Sequence, residues 1–319
     1  MDAVHRAALP GPRSRHPAEA VPVLDISVVI PAYNEEHRLL PGVDEVCRYL
    51  RAAGVRWEVI VVDDGSADAT AAVAAAAAAE EPRIRLLRAP VNRGKGHAVR
   101  IGIAASRGRR VLFCDADAAT PIGELALLHE QLDQGYAAAI GSRARPGARI
   151  GTRQHPLREL LGKAGNRLIQ AMAVPGIRDT QCGFKLFDGD KARTAFARAR
   201  TDGWGFDVEI LRIFHANGWP IAEVPVRWSH RPGSKVGPLD YAKVLAEVVR
   251  VRLQGAGPRV VDERGDGDPG SDGPANGPAG ERNGREYGDG EPGAEGPDAG
   301  PRGSDGHDAG RRDSESRTR

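Results

Sequence analysis

Ile26-Ser27-Val28-Val29-Ile30-Pro31-Ala32-Tyr33-Asn34-Glu35-Glu36 opens on a β-branched run and closes on an acidic loop. The pattern returns twice. Trp57–Val62 runs into Asp63-Asp64-Gly65-Ser66, and Val111–Cys114 runs into Asp115-Ala116-Asp117. Short apolar β-branched runs bounded by turn residues read as buried strands. Helical stretches separate them, which places their loops along one edge of an open α/β sheet, where ligands bind.

The alternation continues along the chain. Helical spacing appears at Val43, Val46, Cys47 and Leu50, after Pro41-Gly42. Further helices are expected at Ala69–Ala79, Gly96–Ser106 and Ile122–Leu132, with strands at Ile84–Leu87 and Tyr136–Gly141. After Arg143 the pattern loosens into a basic amphipathic region, His155–Met172. A strand-like Phe184–Phe187, a helix near Phe206–Asn217, a strand at Ile221–Trp228 and a last helix at Leu239–Leu253 follow. The expected fold class is α/β, a doubly wound, mostly parallel Rossmann-like sheet flanked by helices.

Composition divides the 319 residues into three parts. Residues 1–24 are polar and Pro-rich, and residues 256–319 are Gly, Pro, Asp, Glu and Arg with few apolar side chains. Such segments bury too little surface to offset their ordering entropy, so both are expected to be disordered. Residues 25–255 are expected to form one domain. The chain holds 45 Lys and Arg against 43 Asp and Glu; residues 256–319 take 9 and 15 of these, leaving 36 and 28. The domain is therefore about +8 and the tail about −6, a balance suited to phosphate-rich ligands or an anionic membrane surface. No apolar run reaches the ~18 residues of a membrane span, and the first residues lack the apolar stretch of a signal peptide. Cys47, Cys114 and Cys182 form no close pair, which argues against a disulfide framework or a zinc site and for a reducing compartment.

Chemistry concentrates in the acidic loops. Asp115 and Asp117, at i and i+2 beyond a strand, can both turn oxygens toward one hard cation, and Mg²⁺ or Mn²⁺ bridging a diphosphate suits them. Asp63 and Asp64 can accept hydrogen bonds from a base N–H or ribose hydroxyls. Pro31 and Tyr33 can wall the base, with Glu35 near the ribose. Asp68 is expected to cap the Ala-rich helix. Asn92-Arg93-Gly94-Lys95-Gly96 is neither a GxxxxGK[ST] loop nor a GxGxxG fingerprint. It still joins a strand to a helix, so the backbone near Gly94 and the ammonium of Lys95 can face a phosphate. A nucleoside-diphosphate sugar with a bound metal satisfies the whole set.

Together these segments resemble family 2 glycosyltransferases with a GT-A fold. Asp179-Thr180-Gln181-Cys182-Gly183-Phe184-Lys185-Leu186-Phe187, Trp204-Gly205-Phe206-Asp207-Val208-Glu209-Ile210, Glu223-Val224-Pro225-Val226-Arg227-Trp228 and Gly233-Ser234-Lys235 are similar to dolichyl-phosphate β-glucosyltransferases. The resemblance covers about Ile26–Leu253. It implies transfer of a hexose, glucose from UDP-glucose before mannose from GDP-mannose, to a polyprenyl (dolichyl- or undecaprenyl-type) phosphate, with inversion. A soluble acceptor is the alternative. Processive synthases of the superfamily carry Gln-x-x-Arg-Trp, whereas Val224 stands at the Gln position here.

A lipid phosphate is already an anionic nucleophile, because its second pKa is about 6. Cations matter more than a base, and the candidates for the acceptor are Arg143, Arg158, Lys163, Lys185, Arg231, Ser234 and Lys235. Asp207 lies where sugar-accepting relatives carry their base, and it joins Arg143 and Lys235 as a catalytic candidate. Trp204 and Phe206 can line the sugar or lipid entrance. Leu157, Leu160, Leu161, Leu168, Ile169 and Met172, with Arg158, Lys163 and Arg167, form one apolar stripe with basic flanks. Val244, Leu245, Val248, Val249 and Leu253, with Lys243, Arg250 and Arg252, form another, and such stripes can lie in a membrane interface. The expected partners are a nucleotide sugar, a polyprenyl phosphate and a membrane surface, with no nucleic acid. The expected location is cytoplasmic, peripheral on the cytoplasmic face of the membrane.

Overall fold

Period-two burial builds the centre of the molecule. Along β1 (Leu24–Ala32), β2 (Trp57–Asp63) and β4 (Gly108–Cys114), Val28, Ile30, Val59, Val61 and Leu112 face one layer, while Val29, Ile60, Val62, Val111 and Phe113 face the other. Alternation with both sides apolar requires helices on both faces. The first layer holds α1 (Leu39–Ala53), α2 (Thr70–Glu80) and α4 (Leu125–Asp133); the second holds α3 (Lys95–Ala105), α5 (Gly189–Arg198) and α6 (Phe206–Ala216). The last described helix is α7 (Pro238–Gln254). The computed structural model describes residues 24–151, 176–231 and 238–254, all within one compact unit.

The main sheet runs β3-β2-β1-β4-β7-β5-β8, with β3 at Ile84–Arg88, β5 at Ala138–Ser142, β7 at Phe184–Asp188 and β8 at Ile221–Pro225. Strand order reverses between β1 and β4, and the carboxyl ends of these strands flank the switch point. The sheet is mostly parallel, as expected, but β7 pairs antiparallel with β4 and β5. The chain leaves the sheet after Ser142 and re-enters it at that same edge, so β7 runs back against β5; it reads as an ordinary buried strand while its direction escapes local pattern.

Three expectations change. Leu24, assigned to the N-terminal segment, starts β1 opposite Gly108. The single strand Ile221–Trp228 divides: β8 ends at Pro225, which has no N–H for the ladder, and β9 (Arg227–Trp228) pairs with β6 (Arg149–Ile150). Helix α5 was not anticipated, although Asp188 caps it by accepting from Lys191 N–H at 3.0 Å and Ala192, Ala195 and Phe196 share its buried face. Residues 1–23 and 256–319, the region His155–Met172, and Arg158, Lys163, Ser234 and Lys235 lie outside the described residues.

Candidate active site

The loops after β1 and β2 are stitched together. Asn34 N–H donates to Ser66 Oγ at 2.9 Å and Ala67 N–H donates to Asn34 Oδ1 at 2.9 Å. Glu35 N–H reaches Thr70 Oγ1 at 2.7 Å, and Glu36 accepts from Ala69 N–H at 2.8 Å. Asp68 accepts from Thr70 N–H at 2.9 Å, one residue before the cap position of α2, which is Ala69 and carries no side-chain cap, so the expected cap is displaced to a turn ahead of the helix. Asn34 (φ 52°) and Ala118 (φ 50°) occupy the left-handed region, one beyond β1 and one just after Asp117. Alanine gains nothing there to offset a strain of about 1 kcal/mol, which is how strain gathers at functional loops.

Asp115 and Asp117 project from the carboxyl end of β4, each beside a cation from a neighbouring loop. Lys95 Nζ lies 2.7 Å from Asp115 Oδ1, and Arg38 Nη1 lies 4.0 Å from Asp117 Oδ2. Arg38 also forks onto Glu35, with Nε at 2.7 Å and Nη2 at 2.5 Å. Burial, then the neighbouring Asp115, pushes the Asp117 carboxyl up. Burial opposes the charge on Lys95, but Asp115 and Asp207 outweigh it and hold the ammonium above its ordinary range. The same ammonium sits 5.0 Å from the Trp204 ring and 5.2 Å from Phe113. Gly183 backs the pair: a Cβ there would fall 1.8 Å from Asp115 Oδ2. Among the described residues no group of three or more His, Cys, Asp or Glu side chains could hold a metal. The Asp115–Asp117 pair, already attracting two cationic side chains, would offer carboxylate oxygens to a divalent ion.

Several sequence candidates have other work. Asp63 is fully buried, accepts from Ser66 N–H at 3.1 Å and pairs with Arg88 at 3.2 Å, so it closes its own turn. Asp64 accepts the N–H groups of Gly94 (2.7 Å) and Arg93 (3.2 Å), which corrects the reading of Gly94 as a phosphate cradle. Glu35 is nine-tenths buried in its fork with Arg38, away from the open ribose contact expected of it. Pro31 is buried inside β1, while Tyr33 is exposed at its end. Lys185 is buried rather than open to an acceptor: its ammonium donates to Asp207 at 2.6 Å and to the Cys182 carbonyl. Burial pushes the Asp207 carboxyl up against the pull of Lys185 and Lys95. Breaking a buried pair by removing one partner costs about 3–5 kcal/mol, so Asp207 and Lys185 stand or fall together.

Arg143 grips Asp179 through Nε and Nη2 at 2.7 and 2.9 Å and lies 5.4 Å from the Trp228 ring. Burial raises the carboxyl of Asp179, but the guanidinium beside it wins and holds it low. Arg231 is exposed beyond β9. Cys182 is buried, its thiol pushed up by burial to about 12, which excludes it as a nucleophile. The sequence reading missed Arg38 and the backing role of Gly183, since neither has a local pattern and both depend on loops meeting across the switch point.

A model of glycosyl transferase family 2 matches residues 27–195. The chain is 42% identical to a dolichyl-phosphate β-glucosyltransferase of Drosophila melanogaster, over 69% of this chain and 72% of that one. It is 40% identical to the Homo sapiens enzyme of the same name, over 73% and 76%. Its fold is similar to that of glucosyl-3-phosphoglycerate synthase from Mycobacterium tuberculosis, solved with Mn²⁺, UDP-glucose and phosphoglyceric acid, with a TM-score of 0.53 and 23% identity over 72% of this chain and 80% of that one. The GT-A-like sheet, the acidic pair at its switch point and these identities lead to one conclusion: the chain belongs to glycosyl transferase family 2 and groups there with the dolichyl-phosphate β-glucosyltransferases.

Proposed function

We propose that this chain transfers glucose from UDP-glucose to a dolichyl-type polyprenyl phosphate, inverting the anomeric carbon. The observation that carries the reading is the Asp115–Asp117 pair beside Lys95 and Arg38 at the switch point of the sheet, in a chain 40% identical to the human dolichyl-phosphate β-glucosyltransferase. A phosphate oxygen of the lipid attacks C1 of glucose as the bond from C1 to the UDP oxygen breaks. The nucleophile is already an anion, so no side chain has to remove a proton. The catalytic demand falls on holding negative charge: Lys95 toward the leaving diphosphate and Arg143, with Arg231, toward the acceptor. Asp207 fixes Lys185 and adds to the field on Lys95. Tyr33 offers an exposed ring to the base. Mg²⁺ or Mn²⁺ held by Asp115 and Asp117 would neutralise the leaving diphosphate.

The lipid acceptor requires the protein to meet a membrane, and no described helix is long and apolar enough to cross one. Exposed Leu245, Val249 and Leu253 lie at i, i+4 and i+8 on α7, beside basic Lys243, Arg250 and Arg252. This stripe supports peripheral contact with an anionic, cytoplasmic-side surface.

The test is radiolabel transfer by the full chain from UDP-glucose or GDP-mannose to dolichyl phosphate in detergent, or to 3-phosphoglycerate in its absence. Label from UDP-glucose should enter the lipid phase with added Mg²⁺ or Mn²⁺. Asp117→Ala should lower turnover at least ~100-fold, about 3 kcal/mol of lost stabilisation. Label only in the soluble acceptor, or full activity of that variant in excess EDTA, would overturn the assignment.

A further inference from the structure

Trp204 stands between two glycines, in a loop tied down on both sides. Upstream, Asp202 pairs with Arg93 at 3.0 Å and with Arg100, its carbonyl accepts from His97 N–H at 3.1 Å, and Glu209 accepts from the N–H groups of Arg200 and Thr201. Downstream, Phe206 is buried against Phe113 in an edge contact of 5.7 Å. Gly203-Trp204-Gly205, between these anchors, has the backbone freedom to wander. Glu247 restrains it. From the middle of α7, its Oε2 accepts the Gly205 N–H at 2.6 Å. A Cβ on Gly203 would meet Glu247 Oε1 at 2.0 Å, and a Cβ on Gly205 would meet Glu247 Cβ at 2.8 Å. The loop thus carries glycine on both sides of Trp204 where this carboxylate seats.

We infer that Glu247 is a positioning residue for the donor side of the site: it fixes Trp204 over Lys95 and sets the first turn of α6, which carries Asp207. Gly205 is the residue before α6, and no side chain of its own segment caps that helix. Glu247 supplies the missing acceptor from another element and places a negative charge at the positive end of the helix. The Trp204 ring, held this way, lies 5.0 Å from Lys95 Nζ, and that ammonium lies 2.7 Å from Asp115. Helix α7 lies beyond residues 27–195, the span that the family match covers. It also carries the exposed Leu245, Val249 and Leu253, so one helix presents an apolar stripe outward and Glu247 inward toward the donor loop. A cap on an eleven-residue helix contributes modestly to stability, whereas release of Trp204 changes the wall against which Lys95 is held.

The inference rests on the transferase reading for its kinetic arm, and a second arm stands without it. The variants are Glu247→Ala, Glu247→Gln and, as a control, Ala246→Gln at the exposed neighbouring position of the same helix. Each is assayed for transfer and for acrylamide quenching of Trp204, read as the difference from the same variant carrying Trp204→Phe. Glu247→Ala should raise KM for UDP-glucose and lower kcat/KM at least about tenfold. It should leave KM for the lipid phosphate within about twofold and roughly double the quenching of Trp204. Glu247→Gln keeps an acceptor oxygen for Gly205 N–H and should recover most of both losses, and Ala246→Gln should match the wild type. A Glu247→Ala chain that melts earlier, yet below its melting temperature keeps wild-type KM, kcat and Trp204 quenching, would reduce Glu247 to a helix cap and overturn the inference. The quenching arm reads Trp204 whether or not glucose is transferred, so failure of the transferase reading is told apart from failure of this one.

Discussion

Gly183 shows how much of the site depends on an atom that is absent. Its missing Cβ leaves room for the Asp115 carboxylate, which would otherwise meet it at 1.8 Å. Gly183→Ala therefore has to move Asp115 away from Lys95. Transfer should fall about 100-fold or more and Mn²⁺ titrated with UDP should bind at least tenfold more weakly, while the far-UV spectrum stays that of the parent. Unchanged Mn²⁺ affinity would show that Asp115 does not face the metal. Arg143 offers a different test. Half of its fork is engaged by Asp179, so Arg143→Ala should raise KM for the lipid phosphate more than it weakens UDP-glucose binding; calorimetry showing lost UDP binding with acceptor kinetics unchanged would move Arg143 to the donor side. The sequence made Asp115, Asp117 and Lys95 legible because each belongs to a strand–loop–helix junction that repeats. It hid what Asp63, Asp64 and Lys185 do, since their partners Arg88, Gly94 and Asp207 come from 22 to 30 residues away.

At the scale of elements, local pattern and long-range pairing divided the work. β1, β2, β4 and the helices after them were readable because their buried faces follow periods of two and 3.6. The direction of β7 and the split of β8 from β9 were not, because each depends on which strand lies alongside. Charge clamps at the strand starts were equally silent. Glu81, just after α2, accepts from Arg83 Nε and Nη2 and from Arg51 Nη2, each at 2.7 Å, with the Arg83 guanidinium over the Trp57 ring at 4.1 Å. The hydrogen bond from Arg83, then that from Arg51, overcomes burial and lowers the Glu81 carboxyl to about 2. A depressed carboxyl stabilises the fold above its unfolded value of about 4.3 and loses that stabilisation as pH falls toward 2. Both arginines are about half exposed, so screening reduces the contribution to about 1–2 kcal/mol. Urea midpoints of Glu81→Gln should lie below the parent's at pH 7 and converge with them near pH 2. A gap that persists at pH 2 would assign the loss to packing instead.

For the whole molecule, the open question is how a domain with no membrane-crossing helix among its described residues reaches a lipid-borne phosphate. Charge supplies the approach: outside residues 256–319 the chain holds 36 basic against 28 acidic residues, and an anionic surface attracts such a body at long range. Contact needs apolar side chains as well, and α7 offers Leu245 at 38%, Val249 at 41% and Leu253 at 81% exposure, while Val248 and Val251 on the same helix are buried. Each exposed side chain gains up to about 1.5–3 kcal/mol on full burial, and each basic neighbour close to the surface adds about 1 kcal/mol. Partial immersion of three side chains would give weak, reversible attachment, which would suit an enzyme that must release its product lipid. The full chain should therefore co-sediment with vesicles containing phosphatidylglycerol at low salt and detach above about 0.5 M salt, where the screening length is a few ångströms. Leu245→Ser, Val249→Ser and Leu253→Ser together should reduce co-sedimentation at least tenfold. Because Val248 and Val251 stay in place, transfer to a short-chain acceptor dissolved in detergent should persist. Undiminished co-sedimentation of the triple variant would move the membrane contact off α7, and equal binding to neutral vesicles would remove charge as its guide.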